Sequence, residues 1–181
     1  MFDPTAYENM KVILEGYLYD YDMQGEILIK ERNDLINLAD MSRTFSLLFS
    51  LNLAPQAKRI HVYNGDKLEI KAEFHADLWK MASEWYPLQQ EGGAEFNLYL
   101  RMYEDFNEVL RKRVDKFLHE QFSHEYYIHW EKTISQHSAF HQYLLKRKQP
   151  LFEEEADRIP EMVDAIIDAV RALHRLIDFP G

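Results

Sequence analysis

Histidine is the residue with the most chemistry on offer, and five of the chain's eight fall in one stretch: His119, His124, His129, His137 and His141. On a helix turning 100° per residue, Tyr126, Tyr127, Trp130, Ile134, Leu144 and Leu145 define an apolar stripe, with His137 and His141 near its centre. A spacing of four places both imidazoles on one helical face, one turn apart. Two neutral imidazoles so placed chelate a divalent metal once a third ligand arrives from another element. His61, His75, His174 and the sheet's carboxylates are the candidates for that ligand. The competing reading makes the pair packing residues hydrogen-bonded to backbone or to a tyrosine, and it has more in its favour because a histidine pair alone is a common feature.

Other constellations carry less. Glu69-Ile70-Lys71, with Asp66 upstream, has the acidic-x-Lys pattern of metal-dependent nucleases, yet any solvent-facing strand of alternating charge has it too. There is no His-Glu-x-x-His, no Gly-x-Ser-x-Gly, no phosphate loop ending in Gly-Lys-Ser/Thr and no Gly-x-Gly-x-x-Gly. Six glycines leave little material for phosphate-cradling loops. Two aromatic groups suit a partner surface, where amphipathic rings bury large area at small entropic cost. They are Tyr17, Tyr19 and Tyr21, which alternate onto one face if the segment is a strand, and Tyr126, Tyr127 and Trp130. Ordinary core packing accounts for both groups as well.

These residues need elements to position them. Asp3-Pro4 is a helix start, and Tyr7, Met10, Leu14, Leu18 and Tyr21 follow helical spacing, while Val12, Leu14, Gly16 and Leu18 alternate as in a strand. The segment from Lys11 to Tyr21 is therefore expected to pass from helix to strand. Glu26 to Lys30 reads as a returning strand, closed by turn residues Arg32-Asn33-Asp34. Arg43 to Leu51 alternates with Phe45, Leu47, Phe49 and Leu51 on one face. Asn64-Gly65 between Arg59–Tyr63 and Asp66–Phe74 predicts a two-residue hairpin.

A short helix around Leu78 to Trp85 and a linker around Gly92-Gly93 precede a strand with Phe96, Leu98, Leu100 and Met102 on its dry face. From Asp105 the period becomes helical, with Asp105 and Glu108 as a capping box. Ser123 caps a second helix running to about Lys148, and a third runs from near Pro160 with Ile159, Val163, Ile166, Val170, Leu173 and Ile177 as its stripe. The fold class expected is α+β, a single domain over residues 1–181. An antiparallel sheet from the sheet-rich 11–103 is covered by three or more helices mainly from the helical 105–178.

Composition bounds the function. A chain of 181 residues buries roughly 70% of its unfolded surface in one core. With no cysteine, thiol catalysis, thiolate zinc, iron–sulfur clusters and disulfides are excluded, which suits a reducing cytoplasm. Met1-Phe2-Asp3-Pro4 lacks a basic export leader, and no run approaches the ~20 apolar residues of a membrane span. A net charge of −10 disfavours nucleic acid and anionic lipid. The basic runs Arg111-Lys112-Arg113 with Lys116, and Lys146-Arg147-Lys148, are expected toward helix C-termini, where cations complement the dipole.

These features together describe a soluble cytoplasmic protein-binding or regulatory protein without catalytic activity, with the profile of inhibitor or immunity-type proteins. It needs no cofactor and is suited to a basic protein partner or to self-association as a homodimer. The alternative is a metal-dependent hydrolase or metal-binding protein holding a divalent metal on His137 and His141.

Overall fold

A computed structural model describes residues 5–52, 67–82, 93–103, 107–134 and 139–178. Its elements in chain order are α1 (Thr5–Met23), β1 (Ile27–Asn37), β2 (Ser42–Leu51), β3 (Leu68–Ala76), α2 (Leu78–Ala82) and β4 (Glu95–Met102). There follow α3 (Glu108–Phe122), β5 (Tyr126–Ile134), β6 (Ala139–Arg147), a 3-10 turn (Glu153–Arg158) and α4 (Ile159–Asp178). The class is α+β. Among the described residues six strands form one antiparallel sheet in the order β1-β2-β3-β4-β6-β5, with β1 and β5 at its two ends.

Alternation makes the sheet two-faced. Phe45, Leu47 and Phe49 on β2 lie beside Phe74, Ala72 and Ile70 on β3, and these continue through Phe96, Leu98 and Leu100 on β4 to Tyr143 and Leu145 on β6. All are buried. Helices cover this face. Tyr7 of α1 donates its hydroxyl to the Phe74 carbonyl at 3.2 Å, and Asp115 of α3 accepts from the Tyr143 hydroxyl at 2.7 Å. The α4 stripe expected from the sequence, Ile159 through Ile177, is buried along its length and packs against both α1 and α3. No helix among the described residues is long and apolar enough to cross a membrane.

Three expectations require correction. The helix from Ser123 to Lys148 is instead the β5–β6 hairpin, paired from Tyr126↔Arg147 to Ile134↔Ala139. Residues 126, 130 and 134 are spaced by four, a spacing that shares a face in both a helix and a strand, and the β-branched and aromatic side chains between them favour the strand. Tyr17, Tyr19 and Tyr21 lie on α1, which stays helical through Met23, so their supposed common strand face does not exist. Arg32-Asn33-Asp34 is not a turn but the middle of β1; the turn comes later, around residues 38–41.

As a result the helices are not confined to the C-terminal half, and two strands lie within the stretch 105–178. Asn107, rather than Asp105, caps α3, its Oδ1 accepting from the Leu110 N–H at 2.8 Å. The Asn64-Gly65 turn, Asp105, His61, Asp66 and His137 lie outside the described residues.

Candidate functional site

The sequence-derived residues converge in part. On β6, His141 is buried and stacks on Trp130 of β5, with centroids 5.9 Å apart and planes at 25°. The Arg111 guanidinium lies 5.0 Å from the centre of the Trp130 ring. Arg111 also holds Asp115 at 2.8 Å, and Tyr143 donates to the other oxygen of that carboxylate. Burial, with Lys132 and Arg111 nearby, lowers the His141 pKa, so its imidazole is neutral at pH 7. Burial and the bond to Asp115 push the Tyr143 phenol up, so its proton stays in place.

This is a packed polar knot under the sheet edge that fixes α3 to β5 and β6. His141 sits on strand β6 rather than on a helix, and His137 lies outside the described residues. Among the described residues no three His, Asp or Glu side chains come together as a metal site. Of the expected third ligands, His75 contacts Thr44 at 3.0 Å and His174 contacts Asp178 at 2.9 Å.

The tyrosines divide by geometry. Tyr17 and Tyr21, one helical turn apart, both donate to Asp164 of α4 at 3.2 and 2.6 Å and meet edge to face, so they tie α1 to α4. Tyr19 is two residues from each and points away from that pair. Tyr126 is buried against Phe122 and lines a groove of 210 Å³ with Met162 and Ile166, Arg158 and Glu161 standing on its wall. That volume is below the range of ordinary ligand pockets. Tyr127 lies on the opposite sheet face, 64% exposed, with the Lys148 ammonium 5.4 Å from its ring centre.

The face of the sheet turned away from α1 and α3 is polar and paired. Glu69 and Lys71, the acidic-x-Lys element, sit on central β3: Glu69 binds Lys30 at 2.6 Å and Lys71 binds Glu73 at 2.7 Å. Tyr99 donates to Glu73, and Tyr103 to Glu69. Burial and these carboxylates hold both phenols up at about 12. The basic runs are likewise engaged inside the molecule. Arg111, Lys112 and Lys116 pair along α3, well before its C-terminus, and Lys146 and Arg147 at the end of β6 bind Glu95 and Glu155.

Glu95 receives both Lys80 and Lys146. Burial alone would raise its carboxyl, but the two lysines outweigh it and bring the pKa from an ordinary 4.5 to about 2. A carboxylate depressed in this way stabilises the fold above pH 4.5, and the contribution disappears as pH falls toward 2. Glu95→Gln is therefore expected to cost about 2 kcal/mol at pH 7, after allowance for partial exposure, and almost nothing near pH 2. Urea titrations of both proteins across that range measure the difference.

A feature that periodicity did not single out lies at the far end of the β1–β2 hairpin. Leu35, Ile36, Leu38 and Met41 are 60, 60, 79 and 43% exposed within seven residues. Leu35 and Ile36 are successive strand residues, so apolar side chains leave both faces of the ribbon. The turn is stapled: Asn37 Oδ1 accepts from the Ala39 N–H at 3.0 Å, Asp40 Oδ1 from the Ser42 N–H at 2.9 Å, and the Asn37 amide donates to Asp40 at 3.0 Å. Ser42 holds the Asp40 carboxyl below its ordinary range. Met41 has φ 57, a left-handed conformation unusual for a side-chain-bearing residue. Met41→Gly is expected to raise stability by about 1 kcal/mol, readable as an upward shift in the denaturant midpoint.

Beside the turn and farther down the same hairpin the cations are committed, Arg43 standing opposite Ile36. Arg43 binds Glu8 and Asp34, Lys11 binds the same two carboxylates, and Arg32 binds Glu15. Burial would raise the Asp34 carboxyl, but the bonds from Lys11 and Arg43 prevail and lower it. The exposed charged residues from Glu31 to Asp40 are thus Glu31, the ion-paired Arg32 and, within the turn, Asp40. Comparison with protein-family models, curated proteins and solved structures gives no match.

Proposed function

We propose that this chain is a non-catalytic protein-binding or regulatory protein of the cytoplasm, and that it engages a basic partner through the apolar tip of the β1–β2 hairpin. The observation that carries the reading is the cluster of Leu35, Ile36, Leu38 and Met41, held outside the core on a stapled turn. Each such side chain gains roughly 1.5–3 kcal/mol on full burial, and monomers seldom leave several contiguous ones in water. Pre-ordering by Asn37 and Asp40 lowers the entropic cost of docking. The net charge of −10, with the exposed Asp40 in the turn itself, steers a cationic partner toward it. The absence of cysteine supports a reducing compartment.

The test is affinity capture with the purified chain as bait at low and at high salt. The expected result is a basic protein retained in stoichiometric amount, released as salt rises, and not retained by an Ile36→Asp/Leu38→Asp bait. Equal retention by both baits, or retention of no specific protein by either, contradicts the reading.

A further inference from the structure

The two edges of the sheet are not alike. β1 carries a register irregularity between Ile29 and Glu31, and α1 side chains reach across to it through Arg32–Glu15 and Lys11–Asp34. Bulges and crossing charges are the usual devices that blunt an edge. β5 pairs with β6 over nine residues without a shift in register, and its Tyr127 and Ile134 are 64 and 71% exposed. Among the described residues no strand pairs with its outer side.

Which backbone groups it presents follows from one hydrogen bond. The Lys148 N–H donates to the Glu125 carbonyl at 2.9 Å, in line with the β5–β6 register, so Glu125 and every second residue after it turn their backbone groups inward. Tyr126, Ile128, Trp130, Lys132 and Ile134 therefore turn theirs outward. Trp130 is the midpoint of both the strand and this outward set.

We propose that β5 is a self-complementary dimerisation edge, pairing antiparallel with β5 of a second copy of this chain about a twofold axis at Trp130. That register places His129 opposite Glu131 of the second copy and the reverse, Tyr127 opposite Thr133, Tyr126 opposite Ile134, and Ile128 opposite Lys132. All five outward residues of each strand find partners, giving about ten backbone hydrogen bonds. Helices of both copies stay on the same side of a continuous sheet. Centring on Glu131 or Lys132 instead sets like charges against themselves, and centring on His129 leaves Thr133 and Ile134 facing residues beyond the start of the strand. The occupant is thus chosen by the strand's own sequence. The seam is about 30 Å long, small for an interface, so the dissociation constant is on the order of 10 μM. Two copies at −10 each repel, so this dimer tightens as salt rises, opposite to the partner complex. The inference does not rest on the hairpin-tip reading, and the two surfaces lie on opposite sheet edges.

Sedimentation equilibrium over a concentration series tests it with three proteins. The wild type is expected to show a monomer–dimer equilibrium that tightens between low and high salt. Lys132→Pro removes an outward N–H that β6 does not use, so it is expected to keep the native circular dichroism and to weaken the dimer at least about 30-fold. Glu131→Lys is expected to weaken it, because the carboxylate facing His129 of the second copy is lost, and adding His129→Glu in the same chain to restore it, because a carboxylate and an ammonium then face each other. A wild type that stays monomeric at several hundred micromolar overturns the proposal, even if the edge accepts a strand from some other protein. So does a dimer that Glu131→Lys leaves unchanged, a readout that holds even if Lys132→Pro fails to fold.

Discussion

Replacing Ile36 and Leu38 by aspartate is expected to weaken capture of the basic partner by about 100- to 1,000-fold while leaving the stability of the free chain within about 0.5 kcal/mol. The two side chains are 60 and 79% exposed, so little native packing is lost with them. Their worth appears only in a complex, where each apolar anchor filling a pocket contributes 2 kcal/mol or more. Charge does not account for the loss, because added aspartates strengthen long-range attraction to a cation; the penalty comes from carrying carboxylates into an apolar contact. Titration calorimetry with the captured partner, beside a denaturation curve of the variant alone, separates the two quantities. A variant that unfolds easily, or that binds as well as the wild type, is the result against this expectation.

Gly93→Ala is expected to destabilise the fold by about 3 kcal/mol and to lower the thermal midpoint by about 10 °C. Gly93 has φ 89, outside the range that a side-chain-bearing residue adopts without strain. An added Cβ would lie 2.7 Å from the Leu151 carbonyl oxygen and 3.2 Å from Phe152 and Pro150. That carbonyl is not free to move away, because it accepts from the Ala94 N–H at 2.9 Å while Leu151 donates back to Ala94 at 2.8 Å. Leu151 is itself fully buried, so the bridge anchors the entry to β4 and the approach to α4 together. Strain and displacement therefore add at one point. Thermal denaturation of the variant measures the sum, and a shift of less than about 3 °C shows that the bridge yields cheaply.

What the sequence disclosed depended on whether its periods were ambiguous. Ile159 to Ile177 mixes spacings of three and four, which only a helix places on one face, and α4 lies where that stripe predicts. Phe45, Leu47 and Phe49, and Phe96 to Met102, alternate strictly, and β2 and β4 follow. Tyr126, Trp130 and Ile134 recur by four alone, which suits helix and strand equally, and the neighbours of β6 decided the matter. The same spacing misdirected Tyr17 and Tyr21 in the opposite sense, since the strand pattern that also included Tyr19 lies on a helix.

For the candidate site, the sequence placed His141 and Trp130 on one helical stripe, whereas the β5–β6 pairing brings them together across two strands and stacks their rings. The hairpin tip passed unnoticed because exposure, not residue type, distinguishes it. Leu35, Ile36, Leu38 and Met41 read as ordinary apolar residues until the turn places them beyond the last core layer. A signal was present in Asn37 and Asp40, both suited to side-chain-stapled turns, three and six residues after the end of the turn that Arg32-Asn33-Asp34 suggested.

The measurement that bears most directly on the central claim is site-specific photo-crosslinking in cells, with a benzophenone side chain at Leu38 and, as control, at Lys112 on the outer side of α3. Lys112 is exposed to a similar degree, with 68% of its side chain accessible. The expected result is one basic protein joined to the chain through position 38 and absent from position 112. Adducts that are the same from both positions, or none from position 38, would contradict a docking role for the hairpin tip.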